Sequence, residues 1–180
     1  MSGVAANPPH SRRPLRRGTG RLLCAAAALW TAATPALAAC RQELAVYAEK
    51  ETAASIDFTP ALDGGPDHTF KIKFRENAVI LDGVVMWTEA PARPFGIVMH
   101  KCPEGDVTGA ELEACTVWQG VIYAVGADGS LGLLPRRGED AAAQILLPDL
   151  ASAVKSSSAW GLDGLSALPW EGFAMSGCQE

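Results

Sequence analysis

Past residue 38 the chain offers few side chains suited to chemistry: His68, His100, four cysteines, and the carboxylates Glu104, Asp106, Glu111 and Glu113. A zinc site needs three or four nitrogen, sulfur or carboxylate ligands at suitable spacing. Neither an H-x-x-x-H nor a C-x-x-C pair is present, so the histidines read as one turn residue and one strand residue. The carboxylates are hard oxygen donors of the kind calcium takes, yet their spacing matches no calcium loop, and Glu111 is accounted for as a helix cap. We expect no metal and no cofactor.

Nucleophilic catalysis finds as little support. There is no G-x-S-x-G elbow, the run Ser156-Ser157-Ser158 has no histidine beside it in sequence, and no phosphate-cradling glycine loop opens a helix after a strand. A small hydrolase would have to assemble His100 with Asp106 or Glu104, which flank Cys102. Cysteine catalysis requires a free thiolate, and an even cysteine count argues for pairing instead. No residue is therefore assigned as catalytic, and the expected function is binding of a protein partner or small molecule. Tryptophan supplies contact area with a polar handle. Trp87 and Trp118 lie in strand-like runs and are expected to fill the core, whereas Trp160 and Trp170, in glycine-rich chain, are the candidate binding residues.

The N-terminus places these residues in a compartment. Residues 1–21 carry Arg12, Arg13, Arg16, Arg17 and Arg21 and no acid; Leu22 to Trp30 is apolar and alanine-rich, and Ala36-Leu37-Ala38 has the small-x-small form a signal peptidase cuts. This is the pattern of a cleavable signal peptide over residues 1–38. A membrane-spanning helix needs about 20 unbroken apolar residues, and this run meets Thr31, Thr34 and Pro35 too soon. Ser11-Arg12-Arg13-Pro14-Leu15 resembles the twin-arginine export motif, so both that route and the general one are open.

Leu37-Ala38-Ala39-Cys40 resembles a bacterial lipobox, which would make the product an envelope lipoprotein acylated on Cys40. Counting sulfurs points the other way. Cys24 leaves with the leader, and Cys40, Cys102, Cys115 and Cys178 form an even set that closes two bridges in an oxidising compartment. Of three possible pairings we expect Cys102 with Cys115, a short loop contributing about 3 kcal/mol in the chain-entropy account, and Cys40 with Cys178. Cleavage after Ala38 then yields a periplasmic or secreted domain over residues 39–180. That domain carries ten basic and twenty acidic residues, 10 − 20 = −10, against −5 for the full chain. Such a charge repels phosphates, so nucleic acid is not an expected partner.

The elements that must position these residues are mostly strands. Phe70, Ile72 and Phe74 alternate with Lys71, Lys73 and Arg75, the period of a strand with one face in water. Ala78 to Trp87 reads as one long strand with a bulge at Gly83, and Gly96 to Lys101 as the next strand after the break at Ala90 to Pro94. Thr108-Gly109-Ala110-Glu111 fits a capping box, opening a short helix with Leu112 and Cys115 inward. Val117 to Val125 is apolar on both alternations, which predicts a single central strand covered on both faces. Leu147, Leu150, Ala151 and Val154 recur at helical spacing, Pro148 suits a first helical turn, and together they form the helix expected to cover it. The expected fold class is α+β: a mainly antiparallel meander with one or two short helices packed on it, stapled as a single domain.

Overall fold

A computed structural model describes residues 39–75 and 77–180. The expected leader, its arginine pair and its cleavage site lie outside the described residues. Ten strands form one antiparallel sheet. In chain order they are β1 (Ala45–Ala48), β2 (Ser55–Thr59), β3 (His68–Phe74), β4 (Asn77–Trp87), β5 (Pro94–Met99), β6 (Thr116–Val121), β7 (Tyr123–Val125), β8 (Leu131–Leu133), β9 (Gln144–Leu146) and β10 (Gly172–Cys178). A 3-10 turn, Gln42–Leu44, precedes β1; helix α1 (Gly109–Cys115) leads into β6 and helix α2 (Leu150–Lys155) follows β9.

The expected meander runs from β1 through β6, and the strand order across the sheet is β6-β5-β4-β3-β2-β1-β10-β9-β7-β8. Strands β6 and β7, separated in the chain by Ile122 alone, therefore stand near opposite ends of that order. The sheet must curl into a half-barrel for one residue to join them. Ile122 is fully buried at the join; its N–H donates to Pro94 O at 3.0 Å and its carbonyl accepts from Leu134 N at 3.4 Å.

Inside the curl, β3 buries His68, Phe70, Ile72 and Phe74, while Lys71 and Lys73 point to water and pair with Asp82 at 2.5 Å and Asp57 at 2.6 Å. Being exposed, those pairs contribute at most about 1 kcal/mol each. The apolar face carries the stability: Tyr47, Phe58, Phe70, Ile56, Ile72, Leu81, Ile145 and Phe173 are buried to 2% exposure or less. Fully burying such a side chain contributes about 1.5–3 kcal/mol. Tyr47 and Phe58 meet edge to face at 5.8 Å, and Phe58 and Phe70 lie 5.3 Å apart.

Several expectations are corrected. β4 is one long strand, but Gly83 is not a bulge: it pairs regularly with Phe70 and Val98, and the register shift lies at Lys73/Phe74. Glycine stands there because a Cβ would overlap the Phe70 ring. Val117 to Val125 is not a single central strand but two short ones broken at Ile122, and β6 is an outermost strand. Helix α2 does pack against β6, as expected of the covering helix, but on an outermost strand. Strand β5 starts at Pro94 and ends at Met99, and α2 starts at Leu150, after Asp149 in the left-handed region (φ 61).

The cysteine pairs are as expected. Cys40 is bonded to Cys178 with Cα atoms 5.8 Å apart, and Cys102 to Cys115 with Cα atoms 5.2 Å apart. The first closes the outer end of the β1–β10 pair, where Ala45 lies opposite Cys178. Both suit an oxidising compartment. No helix among the described residues is long and apolar enough to cross a membrane.

Because the Phe70 ring occupies the space a side chain at residue 83 would need, Gly83→Val is expected to lower unfolding free energy by about 1–3 kcal/mol. Gly132→Ala, where an added Cβ meets nothing within 4 Å, should stay within about 0.5 kcal/mol of the parent. Urea denaturation of the two variants with both bridges closed checks this.

Candidate functional site: a groove along the edge of the sheet

The Thr108 capping box forms as expected: Thr108 Oγ1 accepts from the Glu111 amide at 3.4 Å, and the Glu111 carboxylate accepts from the Thr108 amide at 2.9 Å. With the Cys102–Cys115 bridge at its other end, α1 is held at both termini although it has only seven residues. Cys115 is buried, but Leu112 is 38% exposed, contrary to the expected inward position. It faces a groove instead.

That groove, about 960 Å³, runs along β6 between α1 and α2. Leu112 and Glu113 line it from α1, Val117 and Gln119 from β6, and Asp149 and Ser152 from the start of α2. Trp118, 4% exposed, anchors the inner side: its indole N–H donates to Pro148 O at 2.7 Å, fixing the approach to α2 against β6. The ring lies across the paired glycines Gly96 and Gly120, where added Cβ atoms would come within 3.0 Å and 2.9 Å of it.

The groove follows the open edge of β6. Strand β6 pairs only with β5 among the described strands. The Ile122 N–H bond to Pro94 O sets the phase of that ladder. In an antiparallel pair alternate residues direct both backbone groups to the partner, so Gly120 and Trp118 bond β5, and Gln119 and Val121 turn theirs away from it. The same phase follows from β4, where Thr88 N donates to Arg93 O at 2.9 Å, leaving Gly96 and Val98 to face β6.

A second, smaller cavity of about 390 Å³ lies on the other side of α1 and is lined by His100, Lys101, Pro103, Glu111, Cys115 and Ser158. His100 is 7% exposed, its amide donates to Cys115 O at 2.9 Å, and its ring Nδ1 has no hydrogen-bond partner. Burial, then the neighbouring Lys101 ammonium, holds its pKa below 6.5. Glu104 and Asp106 are exposed and neither lines this cavity nor bonds His100. The trio a hydrolase would need is thus not assembled by hydrogen bonds. His68 is far from it in role: fully buried, it bonds Pro135 O through Nε2 at 2.9 Å and stacks edge-on against Phe58 at 5.7 Å. No group of three or more histidine, cysteine or acidic side chains able to hold a metal occurs among the described residues.

Of the tryptophans, Trp160 is half-buried and packs against the core, and Trp170 is 63% exposed just before β10. Neither lines the groove. Trp87 is only partly buried, with the Arg136 guanidinium 3.9 Å from its ring centre. Sequence reasoning missed the groove because an open strand edge is a property of strand order. The available signal was the helix start at Thr108, which showed where one wall begins.

Protein-family models, curated proteins and solved structures were each compared with the chain, and none matches it.

Both buried histidines are held below 6.5, His68 by burial against the opposing pull of the Pro135 carbonyl and Asp67. Below pH 6.5 the unfolded chain therefore takes up protons that the folded chain refuses, and stability fully present above 6.5 is lost as pH falls from there through the lower folded-state values. Chemical denaturation at a series of pH values should show this decline. It should be shallower in His100→Phe, and NMR titration should place the His100 midpoint below 6.5.

Proposed function

We propose that the protein is an exported, bridge-stapled, non-catalytic binding module whose ligand occupies the groove between α1 and α2. The observation that carries this reading is a cavity of about 960 Å³ lying along a strand edge with no neighbour among the described strands. Concave sites of a few hundred to about 1,000 Å³ are the usual size for ligand binding. The walls support the same use. Each helix is short, yet α1 is fixed by its cap and its bridge, and the chain entering α2 is fixed by the Trp118 bond to Pro148. A rigid site loses less entropy on binding. Trp170, well exposed, is assigned a secondary contact surface, with Trp160 as its half-buried neighbour in the glycine-rich tail.

Export is supported by the leader pattern over residues 1–38 and by bridges of the kind that persist in an oxidising compartment. Periplasmic or secreted residence after cleavage at Ala38 is the form we favour over an acylated one, because the bridge to Cys178 uses the same Cys40 sulfur that acylation would need. Mass spectrometry of protein recovered from its native compartment should therefore give the mass of residues 39–180 with both bridges closed and no acyl addition. An acylated Cys40 or a retained leader would refute this address.

Binding in the groove is tested by thermal unfolding of the oxidised 39–180 domain against a panel of metals, small metabolites and peptides. A ligand bound only by the folded form raises the melting temperature. Ser152 is exposed and lines the groove, so Ser152→Trp fills the site without touching the core. Ligands that stabilise the parent should lose that effect in the variant; an undiminished shift in the variant, or no stabilising ligand at all, refutes the reading.

A further inference from the structure

The backbone of β6 narrows the chemistry of the occupant. Turning away from β5, the N–H and C=O groups of Gln119 and Val121, both of which line the groove, offer alternating donors and acceptors on the open edge. An exposed strand edge is a template for another strand, and proteins ordinarily blunt it with lysine, proline or a covering element. Here β6 reads Thr-Val-Trp-Gln-Gly-Val, with neither lysine nor proline and no charged residue. The opposite end of the sheet, β8, is blunted by having only three residues. The helices beside β6 leave a channel rather than a lid, since the groove lies between them and along the strand.

Charge selects among extended chains. The groove carries one acid on each wall, Glu113 on α1 and Asp149 at the start of α2, and no lysine or arginine is among the described residues lining it. Residues 39–180 carry a net charge of −10. A second copy of the same acidic chain is disfavoured on that ground. We propose that the groove takes up an extended, lysine- or arginine-bearing polypeptide segment of another protein. It adds to β6 as an eleventh strand, its backbone bonding Gln119 and Val121 and its basic side chains meeting Glu113 and Asp149. Backbone pairing supplies affinity in this mode, and side chains on alternate faces supply selectivity. The inference rests on the groove being the binding site and specifies what fills it.

The test uses the oxidised 39–180 domain and a short end-blocked valine–lysine peptide with lysines at both odd and even positions, so that an extended chain presents them on both faces. Three comparison peptides accompany it: one with glutamate for lysine, and two N-methylated on one or the other set of alternate amides. Binding is followed by calorimetry, and amide hydrogen exchange is read residue by residue. The lysine peptide should bind and slow exchange at the Gln119 and Val121 amides. The glutamate peptide should bind about tenfold more weakly or not at all. Methylation on the edge-facing set should weaken binding about tenfold, while the other set leaves it near the parent value. The protein is unaltered in all four measurements, so misfolding cannot imitate the result. No binding of the lysine peptide, equal binding of both methylated forms, or no protection at residues 119 and 121 overturns the proposal. Protection of those amides that grows with domain concentration and without peptide overturns it too, in favour of self-pairing. If small molecules from the panel bind in a manner lost in Ser152→Trp while the lysine peptide does not bind, the groove reading stands and the strand-addition inference alone fails.

Discussion

One residue closes this fold. Ile122 is all that separates a strand at one end of the sheet from a strand near the other, so the sheet has no freedom to lie open. With its side chain fully buried and both backbone groups bonded, to Pro94 and Leu134, the seam is satisfied in the sense that buried backbone must be. Curling brings opposing side chains of the inner face close together. The glycines at positions 83, 96 and 120 are where that crowding is relieved, each lying against the Phe70 ring, the Trp118 ring or the Ile122 side chain.

The seam also explains why the groove exists. A sheet that met itself edge to edge would leave no free strand, but here the ends are joined through Ile122, and β6, paired on one side with β5, has no second neighbour among the described strands. The cysteine pair at α1 then anchors a helix beside that strand, and Trp118 anchors the other wall through Pro148. Bridge and cap hold one wall of the opening and the indole holds the other.

Features set by near neighbours in the chain were legible in the sequence. The alternation of β3, the capping box at Thr108 and Glu111, and the stripe at Leu147, Leu150, Ala151 and Val154 all depend on residues a few positions apart; the structure has the first two, and of the stripe it buries Leu150 and Val154 on α2, with Leu147 buried just before the helix and Ala151 half-buried. Cysteine pairing was legible because an even set leaves few choices. Features set by strand order were not. Val117 to Val125 is apolar on both alternations whether it is a covered strand or two strands meeting at a seam, so composition could not divide it. Leu112 was assigned inward by helical spacing, yet the helix stands beside an open channel and the side chain is partly exposed. Buried polar groups were equally silent. Glu49, 5% exposed, accepts hydrogen bonds from the amides of Glu51, Thr52 and Ala54 and from the Thr52 hydroxyl, and these outweigh burial and hold its pKa below 4.5. Tyr47, buried with its hydroxyl 2.9 Å from Gln42 Oε1 and 3.1 Å from Ala142 O, is pushed by burial up to about 12.

The link between Cys40 and Cys178 gives the molecule a mechanical property. It spans 138 positions and encloses every strand except the last residue of β10 itself, which it uses as an anchor. Tension applied between those two cysteines runs through sulfur and never reaches the sheet. Pulled in that direction, the polypeptide behaves as a closed ring, and its hydrogen-bond ladders cannot be peeled apart while the ring is intact.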